Sequence, residues 1–189
     1  MSNRPKFPLA KALNVAQELR QALASHCERI EIAGSIRRRK PMVGDIEILF
    51  VPKMGTQGSA FLFPDEHSQV DDAVEHLAFV NVLAQRPSKT GLFTWGSQNK
   101  LAIHVASGIP VDLFATTASG WWRSLVIRTG PKELNIRLIQ SAKGRGILVH
   151  AYREPALENA ATGDAIPCNS EREFFEICGV PYLEPWQRK

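Results

Sequence analysis

Between Gly44 and Pro52 the chain reads Asp-Ile-Glu-Ile-Leu-Phe-Val. In a strand, successive side chains point to opposite faces, so Asp45 and Glu47 share one face while Ile46, Ile48 and Phe50 line the other. An apolar strand with two carboxylates on one face demands a sheet that buries its aliphatic side against helices and leaves the acidic side open. Two carboxylates placed side by side repel each other and lose hydration, with little structural return. A divalent cation removes that cost, because closely spaced hard oxygens suit Mg²⁺. A third apolar strand, Val111-Asp112-Leu113-Phe114, offers Asp112 to complete the cage. The competing structural reading makes these acids solvent-facing edge residues.

The segment just upstream decides between the two. Gly34-Ser35 lets the backbone approach a triphosphate, and a hydroxyl with amide N–H groups can bind its oxygens. Arg37 and Arg38 can neutralise the outer phosphates, and Gly44 keeps the backbone open before the acids. Gly-Ser, nine residues, then Asp-x-Glu in an apolar strand is a specific composite for phosphoryl transfer.

The rest of the chain is compatible with such a site. Its 189 residues suit one compact unit of two lobes, and 44% hydrophobic with 22% charged residues argues against wholesale disorder. No apolar run approaches the ~18 residues of a membrane span, and the N-terminus has no signal-peptide core. Three cysteines without CxxC spacing predict free thiols in a reducing, cytoplasmic compartment. A net charge of +4 favours polyanionic partners only mildly.

Apolar spacing predicts a helix from Leu9 to Cys27, a strand over Arg29–Ala33, a basic loop through Lys40, and a strand from Asp45 to Val51. Pro52–Ser68 is expected as an excursion, followed by a helix over Val70–Leu83. Strands are expected at Leu92–Trp95 and Leu101–Ala106, the latter in a hairpin with Ile109–Thr116. Beyond Trp121-Trp122 the pattern predicts a helix from Pro131 to Gly144, a strand over Ile147–Tyr152, and a final helix capped by Asn169 or Ser170. The boundary is expected near Gly120. Residues 1–120 then form a mixed α/β lobe and 121–189 a smaller α+β lobe.

The stretch Ala33-Gly34-Ser35-Ile36-Arg37-Arg38…Gly44-Asp45-Ile46-Glu47-Ile48-Leu49 resembles the nucleotidyltransferase signature, most closely that of the family X (polymerase beta-like) DNA polymerases. Val111-Asp112-Leu113 resembles that family's third metal-ligand strand. Thr129-Gly130-Pro131-Lys132-Glu133-Leu134-Asn135 resembles its nucleotide-binding segment. Ile166-Pro167, Ser170–Phe175 and Gly179–Arg188 resemble its closing elements. The resemblance implies an α+β nucleotidyltransferase palm with a mixed sheet, followed by a small α+β thumb.

It also implies a reaction and its residues. Asp45, Glu47 and Asp112 would bind two Mg²⁺ ions (or Mn²⁺) about 3.5–4 Å apart, and a primer 3′-hydroxyl would displace pyrophosphate from a dNTP. Gly34, Ser35, Arg37, Arg38, Gly44, Thr129, Gly130, Lys132 and Asn135 would hold the nucleotide. Two departures stand out. Glu47 replaces the usual aspartate, and Ile127-Arg128 stands where an aromatic pair packs on the incoming sugar, so weakened discrimination between dNTP and NTP is expected.

Only about thirty residues precede the Gly-Ser motif, room for one helix, so no lyase or helix-hairpin-helix domain is expected there, as in some viral family members. DNA, gapped or primer–template, would then be held by exposed cations: Arg137, Lys143 and Arg145, with Lys132 and Arg153 as further candidates. The expected form is a monomer, with a helper protein supplying extra DNA grip. Gap-filling repair synthesis is the leading expectation. Another acceptor (an RNA end, a protein or a small molecule) and a non-catalytic nucleic-acid-binding relic remain as alternatives. His104, Cys178 and the Trp121-Trp122 pair are expected as packing residues.

Overall fold

The computed structural model describes residues 5–57 and 65–189. In chain order the elements are β1 (Phe7–Pro8), α1 (Leu9–Ala24), β2 (Cys27–Ile32), α2 (Gly34–Arg37), β3 (Met42–Val43), β4 (Ile46–Pro52), β5 (Met54–Gln57) and β6 (Asp65–Ser68). Then follow α3 (Gln69–Phe79), β7 (Leu83–Gln85), β8 (Asn99–His104), β9 (Ile109–Ala115), α4 (Trp121–Thr129) and α5 (Lys132–Gly144). The chain closes with β10 (Ile147–Val149), β11 (Leu157–Asn159), α6 (Glu171–Ile177) and a 3₁₀ turn at Pro185–Gln187.

Backbone contacts divide these elements into two units. One comprises Met1–Ile32 and Pro41–Ala115, the other Ala33–Lys40 and Thr116–Lys189. The expected boundary near Gly120 compares with an observed one at Ala115/Thr116, and the basic segment 33–40 packs with the C-terminal unit.

The first unit is built on a five-stranded sheet in the order β2-β4-β9-β8-β7. Its central pair, β4 and β9, is parallel, and the other pairings are antiparallel. Such a mixed sheet needs a crossover between β4 and β9, which the β5–β6 hairpin, α3, β7 and β8 supply. Helix α1 packs on β2 and β4 through a stripe of Ala12, Val15, Ala16, Leu19 and Leu23, all buried. Each larger aliphatic side chain so buried contributes about 1.5–3 kcal/mol. The apolar spacing runs on to Cys27, but the helix stops at Ala24, and a turn at Ser25–His26 delivers Cys27 into the buried start of β2. Burial pushes that thiol up to about 11.

Three expectations in this unit change. Within the excursion expected over 52–68, β5 and β6 form an antiparallel hairpin, and residues 58–64 lie outside the described residues. The helix predicted to reach Leu83 ends at Phe79, because Asn81 takes a left-handed backbone (φ 60°) and Leu83 enters β7. Leu92–Trp95 is no strand; only isolated bridges, Pro87 to Phe93 and Trp95 to Lys100, tie it down, and Leu92 and Phe93 are exposed.

The second unit is mainly helical. Val126, Leu134, Leu138, Ala142, Leu157, Phe174, Phe175, Cys178 and Val180 form its core, fed by α4, α5, β11 and α6. The α4 helix was not expected from the sequence. Ser170 Oγ accepts from the Glu173 amide at 3.0 Å and caps α6, while the Glu173 carboxylate accepts from the Asn169 amide at 2.6 Å. Among the described residues no helix is long and apolar enough to cross a membrane.

Candidate functional site

The acidic residues belong to the first unit. Within the parallel pair, Glu47 of β4 is the register partner of Asp112 of β9. In-register residues of neighbouring strands lie about 4.8 Å apart and project to the same face, so the two carboxylates are lateral neighbours. Both are partly exposed, flanked along their strands by the buried Ile46, Ile48, Val111 and Leu113. Asp45 stands one residue before β4, also partly exposed. Among the described residues no three His, Cys, Asp or Glu side chains are gathered as a ready metal cage.

A cation from the same unit meets this pair. Arg86, just beyond β7, donates Nη2 to Asp112 Oδ1 and Nε to the Ala102 carbonyl at 2.9 Å. Its backbone amide bonds to the Leu101 carbonyl at 3.0 Å, so β8 fixes the arginine at both ends. Arg86 was not singled out in the sequence; its partner lies 26 residues away and no local pattern marks the pair.

Ser35, Arg37 and Arg38 belong to the second unit. Gly34 has φ +63°, a backbone that favours glycine, and opens the single turn of α2 where a plain loop was expected. The Ser35 hydroxyl oxygen is buried and has no hydrogen-bond partner. Arg38 donates Nη1 to the Thr129 carbonyl at the end of α4. Gly130, with φ +64°, passes so close that a Cβ there would lie 3.2 Å from Arg38 Nη1. Asn135 donates Nδ2 to the Ile127 carbonyl at 2.7 Å, and its Oδ1 is buried without a partner. The structure thus gathers Arg38, Thr129, Gly130 and Asn135. It leaves two polar acceptors, on Ser35 and Asn135, unsatisfied, which is uncommon for buried oxygens and marks them as ligand-facing candidates.

Arg37 is placed differently from its neighbour. Its guanidinium makes a bidentate pair with Glu171, at 2.8 and 2.7 Å, and Nη1 also donates to Thr129 Oγ1 at 2.9 Å. Arg188, 1% exposed, donates to the same carboxylate at 3.2 Å and lies 5.0 Å from the Phe175 ring centroid. Burial alone would raise the Glu171 carboxyl. The hydrogen bonds and charge of Arg37, reinforced by Arg188, more than reverse this and hold it below the ordinary range. Arg37 is therefore a strut between α2 and α6, and Glu171 is a second residue that sequence reasoning missed.

Lys132, Arg137 and Lys143 are exposed on α5. Arg145 lies over Gly179, whose absent side chain makes room for it: a Cβ there would sit 2.8 Å from Arg145 Nη1. Arg153 pairs with Glu158 at 2.5 Å and reaches His150 Nε2 at 3.1 Å. Arg128 donates to the Tyr152 hydroxyl at 2.7 Å. Gly44, in the first unit, has nothing within 4 Å of where a Cβ would stand.

A family model described as the DNA polymerase beta thumb matches residues 124–189. Among curated proteins, the DNA polymerase/3′-5′ exonuclease PolX of Bacillus subtilis (strain 168) is 26% identical over 183 residues, 95% of this chain. DNA polymerase lambda of Rattus norvegicus is 24% identical over 170 residues, 82% of this chain. The chain spans 28% of the length of each of these relatives. Among solved structures, Leishmania infantum polymerase beta, in a ternary P/T complex, superposes with a TM-score of 0.70 at 19% identity. That match covers 98% of this chain and 77% of the other. The fold is thus polymerase beta-like, with a mixed sheet in an α+β chain, and the chain is family X polymerase-like in sequence.

Proposed function

We propose that this family X polymerase-like chain is a metal-dependent nucleotidyltransferase that extends a DNA primer from a dNTP, most usefully across short gaps. The observation that carries the reading is the lateral pairing of Glu47 with Asp112 on the two central parallel strands. A fold gains nothing from two adjacent carboxylates, whereas a phosphoryl-transfer centre needs them.

The donor set suits a hard divalent cation: Asp45, Glu47 and Asp112 offer only carboxylate oxygens, and two ions, Mg²⁺ or Mn²⁺, are proposed to be held there. When bound, such ions supply Lewis-acid stabilisation of the charge that develops on entering and leaving oxygens. The chain's own residues do the rest. Arg86 donates to the Asp112 carboxylate and offsets part of its charge. Ser35 and Asn135 bring unsatisfied polar atoms, and Arg38 a cation, to a triphosphate and its base. The backbone at Gly44 leaves room for phosphate oxygens to approach. Arg37 holds the turn bearing Ser35 and Arg38 against α6. Exposed Lys132, Arg137 and Lys143 are proposed to contact DNA phosphates, with affinity that falls steeply with salt.

The test is extension of a labelled primer bordering a one-nucleotide gap, with each dNTP singly, in Mg²⁺ and separately in Mn²⁺. Template-directed extension that disappears in Asp45→Ala and Asp112→Ala supports the reading. Absence of extension with every dNTP in both metals, from a folded protein, overturns it in favour of another acceptor. With Ile127-Arg128 replacing the sugar-packing aromatics, NTPs are expected to be used at efficiencies comparable to dNTPs. A preference of roughly a thousandfold for dNTPs would remove that part of the proposal.

A further inference from the structure

Apart from the residues assigned to nucleotide transfer, the second unit contains a recess of about 350 Å³. Its walls are the chain entering α4 with that helix's first turn, the turn from Glu154 to Leu157, and the segment Ala165–Asn169. That volume lies within the range of small-molecule sites, which are mostly apolar with a few convergent polar groups. Trp122, Leu157, Ile166 and Pro167 supply the apolar walls.

The polar group that distinguishes the recess is Arg123. It is 6% exposed, donates Nη1 to the Ala151 carbonyl, and keeps a buried Nε without a hydrogen-bond partner. Its Nη2 is wedged beneath Gly120, 2.7 Å from where a Cβ would stand. A buried cation with an unused donor is costly, and burial lowers its pKa accordingly. The charged groups facing it are Glu154, which favours the cation, and Arg128, which opposes it. Glu154 is committed locally: one oxygen accepts from Thr117 Oγ1 and the other from the Ala156 amide at 3.1 Å. Helix α4 begins at Gly120 with no side-chain cap, so its first-turn amides add partial positive charge to the same wall. On the walls of the recess, the Arg123 guanidinium and a helix N-terminus thus stand against one carboxylate, Glu154.

We propose that this recess binds a small organic monoanion, a carboxylate carried on an apolar body about the size of a phenylpropyl group. The carboxylate would meet Arg123 and the first turn of α4, and the body would lie between Trp122 and the Ile166–Pro167 segment. The arrangement selects for charge as well as shape, because the Glu154 carboxylate closes off any second negative group.

The probe is 3-phenylpropionate, titrated into the full chain to about 10 mM and followed by amide ¹H–¹⁵N NMR, beside the isosteric neutral amide and 3-phenylpropylamine. Saturable shifts for the carboxylate, confined to amides of Gly120–Arg123 and Ala165–Asn169, are expected. The neutral amide should bind at least about tenfold more weakly and the amine not measurably. Ala165→Trp, which fills the rim from an exposed position, should abolish the shifts and leave primer extension unchanged. Arg123→Gln should remove the preference for the carboxylate; if that variant does not fold, Ala165→Trp and the probe series decide alone. Equal binding of all three probes, shifts elsewhere, or none at all would overturn the proposal.

Discussion

The two units treat their acidic residues in opposite ways. In the first, Glu47 and Asp112 lie side by side on a partly open sheet face, with Arg86 donating to Asp112. In the second, a single carboxylate, Glu171, is buried between two arginines and satisfied on both oxygens. Like charges held together work against the fold that carries them. Opposite charges with bidentate geometry and a shared acceptor bind three segments of chain, residues 33–40, α6 and the C-terminal turn. On the proposed function, the contrast separates a pair kept for a ligand from one that ties segments of chain together.

The sharpest way to break that contrast is Glu47→Gln. It should lower primer extension on the order of a thousandfold, about 4 kcal/mol of transition-state stabilisation, while relieved repulsion leaves unfolding free energy within about 1 kcal/mol of the parent. A variant that loses both activity and stability would make the acidic pair architectural. Glu171→Ala is the reciprocal case. It strands Arg37 and the fully buried Arg188, and should cost about 3–5 kcal/mol in urea unfolding. A loss below about 1 kcal/mol would show that the arginines find other partners.

Acid titration sharpens the same point. The Glu171 carboxyl is held below its ordinary value of 4.5, so its contribution is full above that pH and is lost as pH falls toward the depressed folded value. Stability should therefore decline below about pH 4.5, and Glu171→Gln should flatten that decline; an unchanged slope assigns it to other carboxyls. The smallest expected effects come from two glycines. Gly130→Ala forces a side chain into a left-handed backbone 3.2 Å from Arg38 and should cost about 1–2 kcal/mol. Gly44→Ala meets nothing and should leave stability within about 0.5 kcal/mol, while raising KM for the nucleotide if phosphates approach there. An unaltered KM would remove Gly44 from the nucleotide site.

How far the sequence could be read depended on whether the cause of a structure was local. The Asp-x-Glu strand, the β8–β9 hairpin, the α1 stripe and the Ser170 cap all follow from periodicity or capping chemistry within a few residues. The α4 helix did not, because Trp121, Arg123, Ser124, Leu125, Val126 and Thr129 are all buried and leave no polar face to set a 3.6-residue rhythm. The three-residue β11 is too short to carry an alternating signal. Leu92–Trp95 misled in the other direction: an apolar run need not be a strand when its side chains remain in solvent. At the candidate site, the acids and the Gly-Ser turn could be found from spacing. Arg86 and Glu171 could not, since their partners are 26 and 134 residues distant and no pattern along the chain connects them. For the same reason Arg37 and Arg38, adjacent and chemically alike, could not be told apart until Glu171 claimed one of them.

The assignment of Ala33–Lys40 to the C-terminal unit has a consequence for how such a chain could be cut or exchanged. The polypeptide passes between the units three times, after residues 32, 40 and 115. No single break separates them. A gene segment encoding 116–189 alone would leave behind Arg37 and Arg38, and with them the bidentate partner of Glu171 and the side-chain donor to the Thr129 carbonyl. Any graft of this unit onto another chain must therefore carry an eight-residue stretch from far upstream, and recombination that respects only the later boundary would deliver a module whose buried acid keeps Arg188 but loses its bidentate partner.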